Sequence, residues 1–219
     1  VREFEVTGEV DGRTAPDVYI QFLDLVKDSF DVKFGPGGYK LYPPGATPCA
    51  LPFINKILEL GAEKYVDGVS HHNYLANPVY SFYWDNPGKN LAKIVDARSA
   101  ACGRKLEMFN TESGVFSLPY VHDRPMTREH ARATPYWASQ IGGYETYNTS
   151  MPRLPDDEAA AVQVHAVMVN LASGYRMYVK CQTPCLDGAL PCRQGVALSV
   201  LSGWVLNDMT AIRALPLSS

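Results

Sequence analysis

Short apolar stretches alternate with amphipathic spacings along the whole chain. Residues 1–6 (VREFEV) alternate weakly between apolar and polar positions, as a short strand does. The next stretch, 14–30, begins with Thr14 and Asp17 at the spacing of a capping box. We therefore predict a strand and then a helix. The predicted buried face of this helix carries Val18, Phe22, Leu25 and Val26.

The same alternation repeats toward the C-terminus. Residues 31–34 are a candidate strand, and the Gly/Pro-rich stretch 35–48 (GPGGYKLYPPGATP) is predicted to be a loop. A helix marked by Ile54, Ile57 and Leu58 then closes near Gly61. The later predicted units are strand 68–70 with a helix through Leu91, Ile94 and Val95, a strand ending at Glu112 with helix 156–172, and strand 175–180 with helix 195–209.

Five strand–helix units in series predict an α/β fold with a mainly parallel sheet and helices outside it. No low-complexity linker divides the chain, so we predict a single domain over 1–219, with 117–154 as an inserted active-site loop containing short helical turns. A closed (β/α)8 barrel needs eight units. The chain is therefore either an open α/β sheet or a partial TIM barrel that lacks its N-terminal three βα units. The start without an initiator Met favours the second. Its open sheet edges predict a need for the missing part of the barrel.

Composition and charge narrow the classes of partner. The 219 residues are 46% hydrophobic and 20% charged, which is typical of a globular domain. Twenty Lys plus Arg against 23 Asp plus Glu give a net charge of −3, and this balance predicts neither nucleic acid nor a membrane as partner. No apolar stretch approaches the length of a membrane span.

The five cysteines leave two structural interpretations. Cys181, Cys185 and Cys192 crowd into CQTPCLDGALPC, which could be a disulfide-tied loop. A zinc site would need a fourth ligand, and the stretch has neither a CxxC pair nor a nearby His, so we predict no metal. Cys102 fits a buried small hydrophobe in a helix. Oxidised cysteines would place the protein in a secreted or extracytoplasmic compartment.

Two glutamates follow predicted strands at equivalent places. Glu112 ends the apolar stretch in KLEMFNTESGV, and Glu9 follows the first strand in FEVTGEVDG. The carboxyl ends of parallel strands carry the binding and catalytic groups of α/β proteins. Three units separate the two acids, which would place them on opposite sides of a barrel mouth, with room for a sugar ring between them.

These stretches resemble the clan A glycoside hydrolases, a family of retaining (β/α)8-barrel enzymes. FEVTGEVDGRTAPDVYIQFL is similar to the segment W-E-x-x-N-E-P-x-G on strand four, DGVSHHNY to D-x-V-S-x-H-x-Y on strand six, and KLEMFNTESGV to T-E-x-G on strand seven. The three segments occur in family order and spacing. The resemblance covers strands four to eight and implies a glycoside hydrolase-like catalytic domain.

The resemblance implies a role for each matched residue. Glu9 would be the general acid/base and Glu112 the nucleophile of a retaining double displacement on β-glycosidic bonds of oligo- or polysaccharides. His72 and Tyr74 would line the sugar subsite, while His71 points the other way along the strand. The implied partner is a carbohydrate substrate, and no cofactor is expected.

The chain departs from the family pattern beside the acid/base. Gly8 stands where the family has an Asn that holds the 2-hydroxyl of the sugar, and Val10 replaces the Pro. No Trp ends the last strand, so Trp84 or Trp137 would have to supply the sugar platform. Gly8 and Trp84 are therefore counted with the predicted substrate-binding residues.

Two other functions compete with hydrolysis. The departures at Gly8 and Val10 would suit a non-catalytic carbohydrate-binding relic or an inactive fragment of such an enzyme. A different hydrolase is disfavoured, because GVSHH meets only half of G-x-S-x-G and the remaining His residues lack metal-ligand spacing. The separation of the Glu9 and Glu112 carboxyls distinguishes these possibilities, since a retaining pair lies about 5–5.5 Å apart.

Overall fold

The computed structural model describes residues 2–47, 50–74, 87–114, 116–117, 120–121, 124–125, 127–133, 153–176 and 178–180. These residues belong to two compact units, which are treated separately. The first unit is formed by Val1–Asn73, Asn86–Glu112 and Ser173–Val179. The second is formed by Tyr74–Asp85, Ser113–Ala172 and Lys180–Ser219.

Short strands alternate with longer helices through the described residues. The strands are β1 (Arg2–Phe4), β2 (Tyr39–Leu41), β3 (Gly68–Ser70), β4 (Glu107–Ser113), β5 (Phe116–Ser117), β6 (Tyr120–Val121), β7 (Arg124–Pro125), β8 (Arg153–Leu154) and β9 (Tyr178–Lys180). The helices are α1 (Pro16–Phe34), α2 (Leu51–Glu59), α3 (Pro87–Cys102), α4 (Arg128–Ala133) and α5 (Asp156–Ala172), with a 3₁₀ turn at Ala62–Lys64. Within these ranges, each helix is too short or too polar to cross a membrane.

Two strand pairs of the first unit are parallel, as the sequence predicts. β1 pairs with β2, and β3 pairs with β4 with Ser70 opposite Phe109. β9 lies on the other side of β4. A parallel bridge between Ala46 and His71 connects the two ladders. The carboxyl ends of β1 to β4 therefore lie along one edge, where Glu9, His72 and Glu112 are.

The predicted strand at 31–34 is wrong, because these residues continue α1. Phe30 and Phe34 are one helical turn apart and pack their rings on Phe4 at centroid distances of 5.0 and 5.5 Å. The helix ends where Gly35 adopts a φ of 76°. The second strand forms instead at Tyr39–Leu41, within the stretch predicted to be a loop.

The start and the buried face of α1 also differ from the prediction. The helix begins after Ala15 without a side-chain cap, so the capping box of Thr14 and Asp17 does not form; Pro16 occupies the first position instead. The residues that face the core are Tyr19 and Leu23, one position along from the predicted stripe. The Tyr19 hydroxyl lies 2.9 Å from Thr7 Oγ1, which fixes this rotation. Exposed apolar side chains remain on α1 at Val18, Phe22, Leu25 and Val32.

The core of the first unit lies between the helices and the parallel strands. Ile54, Ile57 and Leu58 of α2 are buried as predicted, and Leu91 and Val95 of α3 pack with them. Cys102 is a half-buried free cysteine at the end of α3, so it is less buried than the small core hydrophobe that the sequence predicts. The helix end leaves it at the edge of the core.

The second unit contains α5, which has the bounds that the sequence predicts. Its Ala159, Ala166 and Val169 pack against Leu154 of β8, and β8 pairs in parallel with β5. Strands β6 and β7 form an antiparallel pair, and α4 follows them, so the described parts of the predicted loop 117–154 include regular elements. The predicted helix 195–209 and the cluster Cys181, Cys185 and Cys192 lie outside the described residues.

Candidate active site

Glu9 lies in the loop between β1 and α1 rather than directly at a strand end. β1 stops at Phe4, and the chain then turns through two non-glycine residues with positive φ, Thr7 at 72° and Glu9 at 51°. The Glu9 N–H donates a 2.8 Å hydrogen bond to the carbonyl of Gly45. Left-handed backbone at residues other than glycine is uncommon and concentrates at functional sites.

A buried histidine brings the two predicted carboxylates together. His72 follows β3, and its side chain is only 4% exposed. Its Nδ1 lies 3.1 Å from Glu9 Oε1 and 3.9 Å from Glu112 Oε2. One carboxylate oxygen of Glu9, one of Glu112 and a ring nitrogen of His72 all lie within 4.8 Å of one another. Glu112 is near the carboxyl end of β4, as predicted.

A third carboxylate, that of Glu5, belongs to the same cluster and is absent from the predicted site. Its Oε1 lies 3.9 Å from Nε2 of His72, on the opposite side of the imidazole from Glu9. Burial raises the pKa of Glu5, but the effects of His72, Thr111 and Ser70 outweigh it and lower the pKa below 4.5. The sequence held a signal for this residue, because W-E-x-x-N-E-P has a Glu at that place.

The surrounding carboxylates determine the charge of His72. Burial lowers the pKa of His72, but hydrogen bonding from Glu5 and Glu9 and the charge of Glu112 raise it above 6.5 overall. The imidazole is therefore stabilised in its protonated form.

The loop after β2 supports both Glu5 and Glu9. Gly45 adopts a φ of 58°, its N–H donates to Ser70 Oγ at 2.6 Å, and its carbonyl accepts from Glu9. A Cβ added at Gly45 would lie 2.9 Å from the Thr7 carbonyl oxygen and 3.0 Å from Glu5 Oε1. Glycine therefore leaves the space that the Glu5 carboxylate occupies.

A second contact fixes the loop that carries Glu9. Asp11 accepts hydrogen bonds from the backbone N–H of Thr47 at 3.0 Å and from its hydroxyl at 2.6 Å. The loop that carries Glu9 is thus attached to the segment that leads into α2.

Of the other predicted substrate-binding residues, Gly8 and Tyr74 are among the described residues. Gly8 is exposed beside Glu9, and a Cβ there would meet nothing within 4 Å, so open space lies where the family has its Asn. Tyr74 is half-buried and belongs to the second unit. Trp84 and Trp137 lie outside the described residues.

His71 faces away from the carboxylates, as strand alternation predicts. It is fully buried, and its Nδ1 lies 2.7 Å from the hydroxyl of Tyr175. Burial raises the pKa of Tyr175, so the phenol stays protonated. This pair belongs to the core behind the site.

The spacing of Glu9, His72 and Glu112 is also one that a cation could occupy. The 3.1 Å contact between His72 and Glu9 is, however, a normal hydrogen-bond distance. A carboxylate–imidazole pair accounts for the arrangement, and we assign no metal to it.

A second polar cluster lies farther toward the amino ends of the same strands. Glu107 at the start of β4 accepts hydrogen bonds from Tyr42 at 2.6 Å, Arg176 at 2.5 Å and Lys40 at 3.3 Å. Burial raises the pKa of Glu107, but these three donors lower it below 4.5 overall. Each partner compensates the charge of Glu107, which suits a structural ion-pair network.

No family model and no curated protein match the chain. Solved structures do match it. A family 51 α-L-arabinofuranosidase from Bifidobacterium longum is 13% identical with a TM-score of 0.55, over 92% of this chain and 45% of its own. A family 39 glycoside hydrolase from Bacteroides cellulosilyticus is 18% identical with a TM-score of 0.58. The match covers 92% of this chain and 41% of that enzyme's own.

An α-L-arabinofuranosidase from Thermotoga maritima, solved with arabinose, is 15% identical with a TM-score of 0.53, over 84% of this chain and 34% of its own. The chain thus spans less than half the length of these three proteins. The similarity shows that the chain has an α/β fold of the kind found in these TIM-barrel glycoside hydrolases.

Proposed function

We propose that the chain carries the catalytic residues of a retaining glycoside hydrolase that cleaves β-glycosidic bonds in oligo- or polysaccharides. Glu9 is the general acid/base and Glu112 the nucleophile. The observation that carries the proposal is the meeting of the two carboxylates around buried His72, at the carboxyl edge of parallel strands. The fold that the chain shares with solved glycoside hydrolases supports it.

The spacing of the acids favours the retaining mechanism over the inverting one. An oxygen of Glu9 and an oxygen of Glu112 lie within 4.8 Å. Retaining enzymes hold their carboxyl groups about 5–5.5 Å apart, and inverting enzymes hold them about 6.5–9.5 Å apart to admit a water molecule. The short separation leaves room for a sugar carbon between the acids.

The chemistry takes place in two displacements. Glu112 attacks the anomeric carbon and forms an ester bond, while the bond to the leaving oxygen breaks and Glu9 gives that oxygen its proton. Glu9 then removes a proton from water, which attacks the same carbon and frees Glu112. The side chains of Glu9 and Glu112 are 46% and 37% exposed, so both are accessible to a substrate.

We also infer that the parallel strands of the first unit correspond to strands four to eight of a (β/α)8 barrel. On this basis β1 precedes the acid/base and β4 carries the nucleophile. The chain acts as one catalytic domain together with the remaining βα units, on a carbohydrate in an extracytoplasmic compartment.

The open space beside Gly8 favours one alternative, a protein that binds sugar without cleaving it. The missing Asn would remove a contact with the 2-hydroxyl that strengthens in the transition state. Binding of oligosaccharide without any release of reducing ends would support this alternative.

Substitution of the nucleophile tests the proposal. Aryl β-glycosides should be hydrolysed with net retention, which NMR detects in the anomer released first. Glu112→Gln should reduce turnover at least about a thousandfold, because it cannot form the ester bond, and should leave sugar binding measurable by calorimetry.

Glu9→Gln should keep activity on substrates with acidic phenol leaving groups and lose it on poorly activated ones. Glu59→Gln, an exposed glutamate on α2, provides the matched control and should behave as the unsubstituted protein. Near-normal hydrolysis by Glu112→Gln would exclude Glu112 as the nucleophile.

A further inference from the structure

Three carboxylates surround His72, and they differ in how accessible they are. The Glu5 side chain is 29% exposed, less than that of Glu9 or Glu112. Glu5 faces Nε2 of the imidazole, whereas the other two face Nδ1. The imidazole thus separates Glu5 from the pair proposed to contact the sugar.

We propose that Glu5 is a positioning residue: it holds a proton on Nε2 of His72, so that Nδ1 is the nitrogen that exchanges a proton with Glu9. The catalytic consequence rests on the function proposed for Glu9 and Glu112. The contact between Glu5 and His72 does not depend on that function.

The chemistry of imidazole explains how Glu5 would act. The ring nitrogen that carries the proton is set by the hydrogen bond that the other nitrogen makes. Glu5 is ionised and accepts only, so it favours a proton on Nε2. Nδ1 then either accepts a hydrogen bond from protonated Glu9 or, in the imidazolium, donates one to ionised Glu9. The Glu5–His72 distance of 3.9 Å exceeds a direct hydrogen bond, as catalytic contacts in empty sites often do.

The charge of Glu5 also favours retention of a proton in the cluster. Among the described residues, the charged groups facing His72 are Glu5 and Glu9 from the loop after β1 and Glu112 from β4. Ser70 and Thr111, the other polar neighbours of Glu5, are uncharged. Removing the negative charge of Glu5 weakens the attraction for the proton that a general acid must hold.

Glu3 provides a matched control for Glu5. It lies two residues earlier on the same face of the chain, and its contacts are with Tyr42 and Arg176 rather than with His72. Glu5→Gln and Glu3→Gln remove the same charge with the same change of shape. They differ in whether the imidazole is affected.

The first experiment measures the pH profile of kcat/KM for the unsubstituted protein, Glu5→Gln and Glu3→Gln. Aryl and alkyl glycosides are the substrates. In Glu5→Gln the alkaline limb should move to lower pH by about one unit. Its kcat/KM should fall about tenfold or more on alkyl glycosides, which need proton donation, and change little on dinitrophenyl glycosides. Glu3→Gln should change neither. A Glu5→Gln variant that matches Glu3→Gln in both respects would overturn the inference.

The second experiment follows His72 directly and needs no activity. Nitrogen-15 NMR of labelled histidine, with His72 assigned through His72→Gln, should show protonated Nε2 in the unsubstituted protein. Glu5→Gln should lower the titration midpoint of His72, whereas Glu3→Gln should not. A neutral His72 with its proton on Nδ1 in the unsubstituted protein would refute the proposal. If hydrolysis is absent while the NMR result holds, the proposed function fails and the Glu5–His72 contact stands.

Discussion

Individual residues in this site act through the backbone as well as through their side chains. Gly45 contacts both Glu5 and Glu9. Its carbonyl accepts a hydrogen bond from the Glu9 N–H, and its Cα faces the Glu5 carboxylate. Its φ of 58° is one that a residue with a side chain rarely adopts. A substitution at Gly45 should therefore affect stability and activity together.

Gly45→Ala should lower the free energy of unfolding by about 2–3 kcal/mol, from backbone strain and from the clash with Thr7 and Glu5. It should also reduce kcat/KM more than tenfold, because Glu5 and Glu9 must move. Gly37→Ala is the control: Gly37 has a similar φ of 78° but open space around it. That control should cost about 1 kcal/mol and leave activity intact. Equal losses of activity in the two variants, measured beside urea unfolding, would contradict the role given to Gly45.

At the scale of elements, the strands place polar groups in layers along one face. Glu107, near the start of β4, gathers Tyr42, Lys40 and Arg176, whereas Glu112 at its other end joins His72. The carboxylate of Glu107 is hydrogen-bonded to three side chains, whereas those of Glu9 and Glu112 are accessible to solvent. We infer that the first stabilises the unit and the second performs the chemistry.

Glu107→Gln should lower the free energy of unfolding by about 2 kcal/mol at neutral pH, because Lys40 and Arg176 lose a compensating charge and the Tyr42 hydroxyl loses a charged acceptor. Glu59→Gln removes an exposed pair with Lys56 and should change stability by less than about 0.5 kcal/mol. Chemical unfolding measures both. If the two variants are equally stable, the network around Glu107 contributes nothing to folding.

The sequence predicted elements with strong periodicity better than it predicted their edges. Helix α2 and strand β4 appear where apolar spacing indicated them. The strand predicted at 31–34 fails because aromatic packing on Phe4 extends α1, a tertiary contact that no local pattern contains. The apolar face of α1 was assigned one position away, since its apolar residues form two adjacent stripes and only packing selects one.

The site was predicted in the same uneven way. Glu9, Glu112 and His72 were found because each ends a recognisable segment, and the structure brings them together. Glu5 was missed although it matches the first Glu of W-E-x-x-N-E-P, because the motif does not say that this side chain faces His72. Only the three-dimensional arrangement shows that contact.

At the scale of the whole molecule, the stability of the fold depends on pH, and it decreases both below and above an optimal pH range. Three glutamates, Glu5, Glu63 and Glu107, have lowered pKa values. The stability that they contribute is complete above pH 4.5, the ordinary pKa of Glu, and is lost as the pH falls through their folded-state pKa values. His72 has a raised pKa, so its contribution is complete below 6.5 and is lost as pH rises through the folded-state value.

We therefore expect unfolding by urea to show greatest stability between about pH 4.5 and 6.5. His72→Gln should remove part of the decline above pH 6.5. It should also remove part of the acid-side loss that comes from Glu5, whose pKa His72 lowers, while the contributions of Glu63 and Glu107 stay. Stability that rises steadily from pH 6.5 to 8 in the unsubstituted protein would contradict this expectation.

The position of Gly45 has a practical consequence for engineering. A library that diversifies residues around the acids to change sugar preference would include the YPPGA stretch, 42–46, by proximity alone. Because Gly45 sets the backbone of one acid and the space for another, variants there would mostly be eliminated by misfolding before specificity could be selected. Diversity is better placed at Gly8, where open space accepts a side chain without moving the acids.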